Sequence, residues 1–511
     1  IDNKQIETYL GYRGYTILKN GLSLQLINNI KKNLLIKPFS LNTYNDVVSY
    51  PIFLESNKKL YVPRFWGIYY FGIPKEIKIG YGDNLNLIFK GKLRKDPIDQ
   101  EMIVEKYLNE INFNKDLSNK DNDKLNKGNS CGLIELKTGG GKTVIGLKIL
   151  SIINKKTIIF VHKTFLKDQW IERINEFLPD AKIGTIQGQI IDIENKDIVI
   201  AMIQSISMKE YPDSIFKDFG FSLYDEVHHL SSEVFSNCLK KCNTIYSLGL
   251  SATMERKDGL THVFKMYLGN ICDIKFDLKK DNDNVLVKVI NYNVKDDEDF
   301  ITTELDYKGN PKYSTMISKL SKYDYRNDFI VYVIHNEFNL NKNQQMMILC
   351  HNRNMLAYIF NKLNYAGKLS VGYYVGGMKK EDLKISEGKQ VILATYQMAA
   401  EALDIKSLTS LILATPKTDI VQAVGRILRE KHAEPLVIDI VDIHNCFQNQ
   451  FIKRKAFYNK QNYKIIKTTN ELYMKTNNYN DIWIELKKRN KKSELREFIN
   501  NDENNKKICL I

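Results

Sequence analysis

The chain has 511 residues, 43% of them hydrophobic, and a formal net charge of +15 at pH 7. That length exceeds what one core accommodates and implies roughly three domains, while the basic balance points to a polyanionic partner, nucleic acid or an anionic membrane surface. No apolar run reaches the ~18 residues of a membrane span, and the stretch IDNKQIETYL lacks the basic and apolar segments of a secretory leader, which predicts a soluble, intracellular protein with no membrane association. Seven cysteines, odd in number and scattered, suit free thiols in a reducing compartment.

In chain order, residues 1–92 mix strand-like runs (YTIL, KKLYVP, WGIYYFG, IKIGYG) with one helical stretch, LQLINNIKKNLL, and read as a small α+β domain. The aromatic run YVPRFWGIYYFG fits a packed core better than a face that stacks bases. A helical period over 99–112 gives way to the polar FNKDLSNKDNDKLNKGNS, a loop or insertion. Strands then alternate with helices at 131–137, 142–153, 157–161, 163–178, 197–202, 220–224 and 245–249, the pattern of a parallel sheet covered by helices. Residues 271–334 carry KKDNDN and VKDDEDF and read as a connector. A second alternating series, from MMILC through QVILAT and SLILAT to PLVIDIV, fills 335–445, and 446–511 reads as a basic helical tail. The fold class is therefore α/β, with two such units in tandem.

The stretch LIELKTGGGKTVIGLKIL sets three glycines between a strand and a helix. Gly139, Gly140 and Gly141 have no Cβ to keep backbone N–H groups away from a phosphate. Lys142 supplies a mobile charge for the phosphates, Thr143 a hydroxyl for Mg²⁺, and the helix its positive end, so the implied cofactors are ATP and Mg²⁺. An ordinary glycine-rich connection is the plain alternative, and Leu136 stands where the strict pattern wants Gly or Ala. Downstream, FGFSLYDEVHH ends a hydrophobic strand with Asp225 and Glu226. Asp225 suits the Mg²⁺ water shell, and Glu226 the orientation and deprotonation of an attacking water. In QAVGRILR, Gln422, Arg426 and Arg429 offer positive charge for a phosphoryl transition state. Cys238 and Cys242, near His228 and His229, lack the tight-turn spacing of structural zinc ligands.

The order of these segments resembles the superfamily 2 helicases, from about Gln100 to Arg429. LKTGGGKT is similar to motif I, FVHKTFLKDQW to Ia, YDEVHH to II, GLSATMERKDGL to III, VILATYQMAAEALDI to V and QAVGRILR to VI. The branch it most resembles is that of XPB and UvsW, in particular its members in large DNA viruses, including the poxvirus transcript-release helicase. The resemblance implies RecA-like lobes at 93–270 and 335–445. It also implies that Thr138 joins the ATP loop, Gln100 reads adenine, and Ser251 and Thr253 couple hydrolysis to nucleic-acid binding. Arg256 and Asp258 would belong to a strand-opening element, Thr395 would touch strand phosphates, and Asp404 would sit near the ATP ribose. Gln422 and Arg426 would line the γ-phosphate, with Arg429 as arginine finger. Departures are Asp99 for Tyr, His162 for Pro, Val227 for Ala, Lys257 between Arg256 and Asp258, and Ala402 for Gly.

The expected function is an ATP-dependent motor whose lobes close on ATP and part on hydrolysis, translocating on and unwinding nucleic acid, DNA ahead of RNA. Phosphate contacts would make its grip salt-sensitive and independent of sequence. The resemblance places it with viral transcription or replication machinery, at a cytoplasmic replication site or in the virion, and in the nucleus otherwise. Two competing readings are a translocase that releases transcripts or strips proteins without unwinding, and a nucleic-acid-binding scaffold with a vestigial nucleotide site.

Overall fold

The computed structural model describes residues 6–38, 48–96, 98–111, 113, 130–136, 139–228, 233–255, 259–274, 285–294, 297–401, 405–428, 432, 434–475 and 481–486. The chain divides into two compact units, Ile1–Leu278 and Lys279–Ile511.

The first unit opens with a five-stranded sheet in the order Leu54–Glu55, Lys59–Val62, Gly14–Leu18, Thr8–Gly11, Glu76–Ile77. Strand alternation sends Tyr15, Ile17, Leu60 and Val62 to its covered face, where all are buried. WGIYYFG, whose aromatic and β-branched residues favour a strand, lies instead within the helix Arg64–Phe71. Pro63 pre-sets the first turn and Gly72, at φ 80°, ends it. Trp66 packs into the core, and Gly67 lies so close to Tyr15 that a Cβ there would come within 2.3 Å of its ring. Most of this run is therefore core, while Tyr69 and Tyr70 face solvent.

This small sheet is not a separate body. Arg64, 2% exposed, donates to Ser130 Oγ at 2.8 Å, to the Ile245 carbonyl at 3.1 Å and to Cys131 Sγ at 3.1 Å. Tyr267 donates its hydroxyl proton to the Ile52 carbonyl at 2.7 Å, and one hydrophobic cluster runs from Tyr15 and Trp66 to Leu133, Phe160 and Tyr224. A boundary at residue 92 thus cuts through a shared core.

The main sheet of this unit has the strand order Ile190–Asp192, Ile183–Gln187, Ile198–Met202, Thr157–Val161, Phe221–Asp225, Tyr246–Ser251, Cys131–Glu135. All neighbours are parallel except the first pair. Thr157–Val161, Ile198–Met202 and Phe221–Asp225 are buried throughout, as expected of strands covered on both faces. The helices Lys142–Ile153 and Thr164–Phe177 bury Leu147, Leu150, Trp170 and Ile174 against one side.

The second unit holds an eight-stranded sheet ordered Val371–Tyr374, Val391–Thr395, Met346–Cys350, Ser410–Leu413, Leu436–Asp442, Leu286–Tyr292, Lys464–Thr469, Ile484–Glu485. Its neighbours are parallel save the last pair. Leu286–Tyr292, in the stretch read as a connector, pairs with Leu436–Asp442 over its whole length, and Lys464–Thr469, in the stretch read as a tail, pairs on its other side. Charged neighbours disguised the first, but LVKVINY itself alternates toward the core, with Val287, Val289 and Ile290 buried. The helix Asn445–Lys460 inserts Arg454, 1% exposed, onto Asp439 through paired bonds of 2.8 and 2.9 Å. Both units are thus built on parallel sheets in the tandem RecA-like manner. Among the described residues no helix is long and apolar enough to cross a membrane.

Candidate active site

Three adjacent strands of the first unit, Phe221–Asp225, Tyr246–Ser251 and Cys131–Glu135, deliver the sequence motifs to one end of the sheet. Ligands bind outside the carboxyl ends of parallel strands because loops and helix N-termini converge there. Beyond Cys131–Glu135 the chain turns through glycine and enters the helix Lys142–Ile153. Gly139 at φ 81° and Gly141 at φ 85° occupy the left-handed region, which a side chain at either position would strain. Lys142 and Thr143 begin the helix, at its positive end.

Lys142 Nζ meets Glu226 Oε1 at 2.5 Å, with both side chains mostly withdrawn from solvent. Glu226 itself has φ 49°, an uncommon conformation for a residue with a side chain and one that clusters at functional sites. Asp225 ends its strand 7% exposed; its Oδ2 accepts from Trp170 Nε1 at 2.9 Å and its Oδ1 from the Glu226 N–H at 3.0 Å. Burial and then the Glu226 carboxylate push the Asp225 carboxyl up, against the pull of Lys142 and Trp170. Burial also raises Glu226, but Lys142 and His228 outweigh it and hold Glu226 below the usual carboxylate value. The two neighbours are thus driven apart, with Glu226 the more readily ionised.

His228 Nδ1 lies 2.8 Å from Ser251 Oγ and 3.4 Å from Glu226 Oε2. Ser251 has one hydroxyl proton, and the Thr253 carbonyl at 2.7 Å is its nearest acceptor. The structure so brings Ser251 and Thr253 into one hydrogen-bonded chain with the acidic pair. His162, buried beside them, is pushed down to about 4 by burial and then by Lys163, so it is neutral near pH 7.

Gln100 begins the helix Gln100–Glu110 and is turned to the glycine loop: Nε2 donates to the Gly140 carbonyl at 3.2 Å and Oε1 accepts the Arg94 N–H at 2.9 Å. The residue before it, Asp99, caps that helix by accepting the Met102 N–H at 3.0 Å, which gives this departure from the Tyr-Gln pattern a local purpose. In the second unit, Thr395 ends the strand Val391–Thr395 and Gln422 lies on the short helix Val421–Val424, both half-buried. Arg426 is 6% exposed and its Nε donates to the Ala399 carbonyl at 2.8 Å. Thr138, Arg256, Asp258, Asp404 and Arg429 lie outside the described residues.

Sequence reasoning missed Trp170 and Arg94. The first closes FVHKTFLKDQW, and a buried tryptophan always raises the question of what its N–H meets. Hard-oxygen donors at this end of the sheet include the Thr143 hydroxyl and the Asp225 and Glu226 carboxylates, chemistry that suits Mg²⁺. No group of three or more His, Cys, Asp or Glu side chains able to hold a metal occurs among the described residues, and Cys238 and Cys242 are buried thiols raised by burial.

Residues 95–256 match the family model of the type III restriction enzyme res subunit, and residues 326–431 match the helicase conserved C-terminal domain. A protein of Acanthamoeba polyphaga mimivirus named as an ATP-dependent RNA helicase, L396, is 34% identical over 474 residues, covering 90% of this chain and 87% of that protein. A protein of Invertebrate iridescent virus 6 named as a helicase, 161L, is 24% identical over 392 residues, covering 74% and 84%. A third, from African swine fever virus (isolate Pig/Kenya/KEN-50/1950) and named as an ATP-dependent RNA helicase, QP509L, is 25% identical over 395 residues, covering 70% and 74%.

Proposed function

The chain belongs to the superfamily 2 helicases related to those of large DNA viruses and is an ATP-hydrolysing helicase, and on that premise we propose that it uses ATP with Mg²⁺ to translocate on and unwind nucleic acid, DNA before RNA, during viral transcription or replication. The observation that carries this reading is the contact of Lys142 with Glu226, at 2.5 Å, between the glycine turn and the acidic strand end.

Thr143 and Asp225 would hold Mg²⁺, which would supply positive charge against the phosphates. The chain's own residues do the rest. Lys142 and Glu226 satisfy each other's charge. A γ-phosphate competes for Lys142, and Glu226, losing its cation, becomes the stronger base for the attacking water. Trp170 keeps the Asp225 carboxylate from swinging away. The line from Glu226 through His228 and Ser251 to Thr253 would carry the change of charge at Glu226 toward the loop after Tyr246–Ser251, where coupling to nucleic acid is expected.

Steady-state ATP turnover with no nucleic acid, single-stranded DNA, duplex DNA and single-stranded RNA tests this, followed by strand separation on forked duplexes. Stimulation by DNA together with separation of the fork is the expected outcome. Stimulation without separation favours the transcript-releasing translocase. Greater stimulation by RNA overturns the order of tracks, and the RNA-helicase names of two relatives make that arm necessary. Absence of turnover on every track returns the scaffold reading.

A further inference from the structure

The five-stranded sheet of the first unit has two faces. Tyr15, Ile17, Leu60 and Val62 close one of them against Ile30 of the helix Leu24–Asn33 and Trp66 of the helix Arg64–Phe71. Strand alternation sends their neighbours to the other face. There the register aligns Tyr9 of Thr8–Gly11 with Thr16 of Gly14–Leu18, and Thr16 with Tyr61 of Lys59–Val62. Two half-buried tyrosines thus flank one small residue, two strand spacings or about 10 Å apart. The outward face of an antiparallel sheet ordinarily carries polar side chains, so an aligned pair of aromatic rings there calls for a reason.

Cations gather on the same rings. Lys78 Nζ lies 4.4 Å and Lys59 Nζ 5.4 Å from the centre of the Tyr9 ring, and the Arg13 guanidinium carbon lies 5.8 Å from that of Tyr61. The Glu76 carboxylate is beside them: Glu76 pairs with Tyr9 across the strands and meets Lys78 at 2.9 Å, both side chains more than half exposed. An ion pair so exposed is weak and exchanges readily for a phosphate. An ammonium over an exposed ring is also held weakly, whereas a base stacked on that ring gains more, so the base takes the ring and releases the cation to the backbone. We propose that this face binds single-stranded nucleic acid, with unpaired bases stacked on Tyr9 and Tyr61 and the phosphates held by Arg13, Lys59 and Lys78. The inference rests on the reading of the partner as nucleic acid, and it gives the amino-terminal sheet its own part in holding the strand. Neither kind of contact uses the sugar or a base edge, so DNA and RNA of any sequence are held alike. A duplex keeps its bases in their own stack and meets the cations alone.

Fluorescence anisotropy of the full chain tests it, with labelled oligothymidylate, oligouridylate and a blunt DNA duplex, at low and moderate salt. Tyr9→Ala and Tyr61→Ala are each expected to weaken both single strands about tenfold, the scale of one lost base–aromatic stack, and to leave the duplex unchanged. Tyr9→Phe and Tyr61→Phe keep the rings and should bind as the wild type does. Lys59→Gln combined with Lys78→Gln should weaken all three ligands and reduce the slope of log affinity against log salt by about 1.4 for the single strands. Wild-type affinity for single strands in both alanine variants overturns the inference. An equal loss on the duplex, or a loss in the phenylalanine variants that matches alanine, overturns it as well. Should an alanine variant fail to fold, as its melting curve would reveal, the lysine pair decides, and an unchanged salt slope there counts against the face. The motor reading is tested separately, by whether nucleic acid stimulates ATP turnover in the wild type.

Discussion

Each unit of the chain sets a cation against a carboxylate at its parallel sheet, and the two arrangements differ in what surrounds them. In the first unit, Lys142 and Glu226 remain partly open, Glu226 has a strained backbone, and a second carboxylate and a histidine crowd the pair. In the second, Arg326 and Asp442 are fully sealed, with bonds of 2.6 and 2.8 Å and no exposure on either side chain. On the proposed reading the open pair exchanges partners when a phosphate arrives. The sealed pair has no competitor and can only hold the fold. Chemically similar pairs thus serve different ends, and access to a third charge decides which.

The comparison breaks most readily at its reactive side. Glu226→Gln should lower ATP turnover by about a thousandfold while leaving ATP binding in place, because the variant keeps the shape and loses the base; turnover and nucleotide affinity measured on the same preparation check both halves. The matching change at the sealed pair, Asp442→Ala, strands the buried Arg326 charge. It should cost about 3–5 kcal/mol in urea unfolding of the second unit, and the double variant Arg326→Met with Asp442→Leu should recover much of that loss. If Asp442→Ala instead left stability intact, the sealed pair would not be structural. Trp170→Phe keeps the packed ring and removes only the bond to Asp225. About tenfold higher Mg²⁺ concentration should be needed for half-maximal turnover, with the melting temperature little changed.

The smallest effect concerns one buried and one half-buried histidine, His162 and His351, held neutral in the two units. Burial, followed by Lys163 for His162 and Lys417 for His351, lowers each to about 4. A folded-state value below the unfolded one means that the unfolded chain takes up the proton first. Their contribution is complete above about pH 6.5 and is lost as pH falls from there toward 4, amounting to about 0.8 kcal/mol per histidine at pH 6. Melting curves between pH 8 and pH 5 should fall accordingly, and His162→Gln should flatten the slope for the first unit.

Much of the first unit's site was legible in the sequence because its chemistry is local. The glycines, Lys142 and Thr143 are contiguous, and Asp225 and Glu226 end one strand. What stayed hidden depends on contacts between distant segments. Nothing local says that Trp170 meets Asp225, or that the Gln100 amide meets the glycine turn. The fold followed the same rule. Alternating strands and helices gave the parallel sheets, whereas Leu286–Tyr292 and Lys464–Thr469 were obscured by charged surroundings and by pairing partners far along the chain. The helix Arg64–Phe71 was misread because aromatic content outweighed the Pro and Gly that bracket it.

Arg64 has one more consequence. It grips Ser130 and Cys131 at the root of the strand Cys131–Glu135, and that strand runs on into the glycine turn. On the proposed reading, a load applied to the amino-terminal sheet would be passed by Arg64 to the strand that precedes the glycine turn, and an obstacle met by that sheet would be felt near the nucleotide.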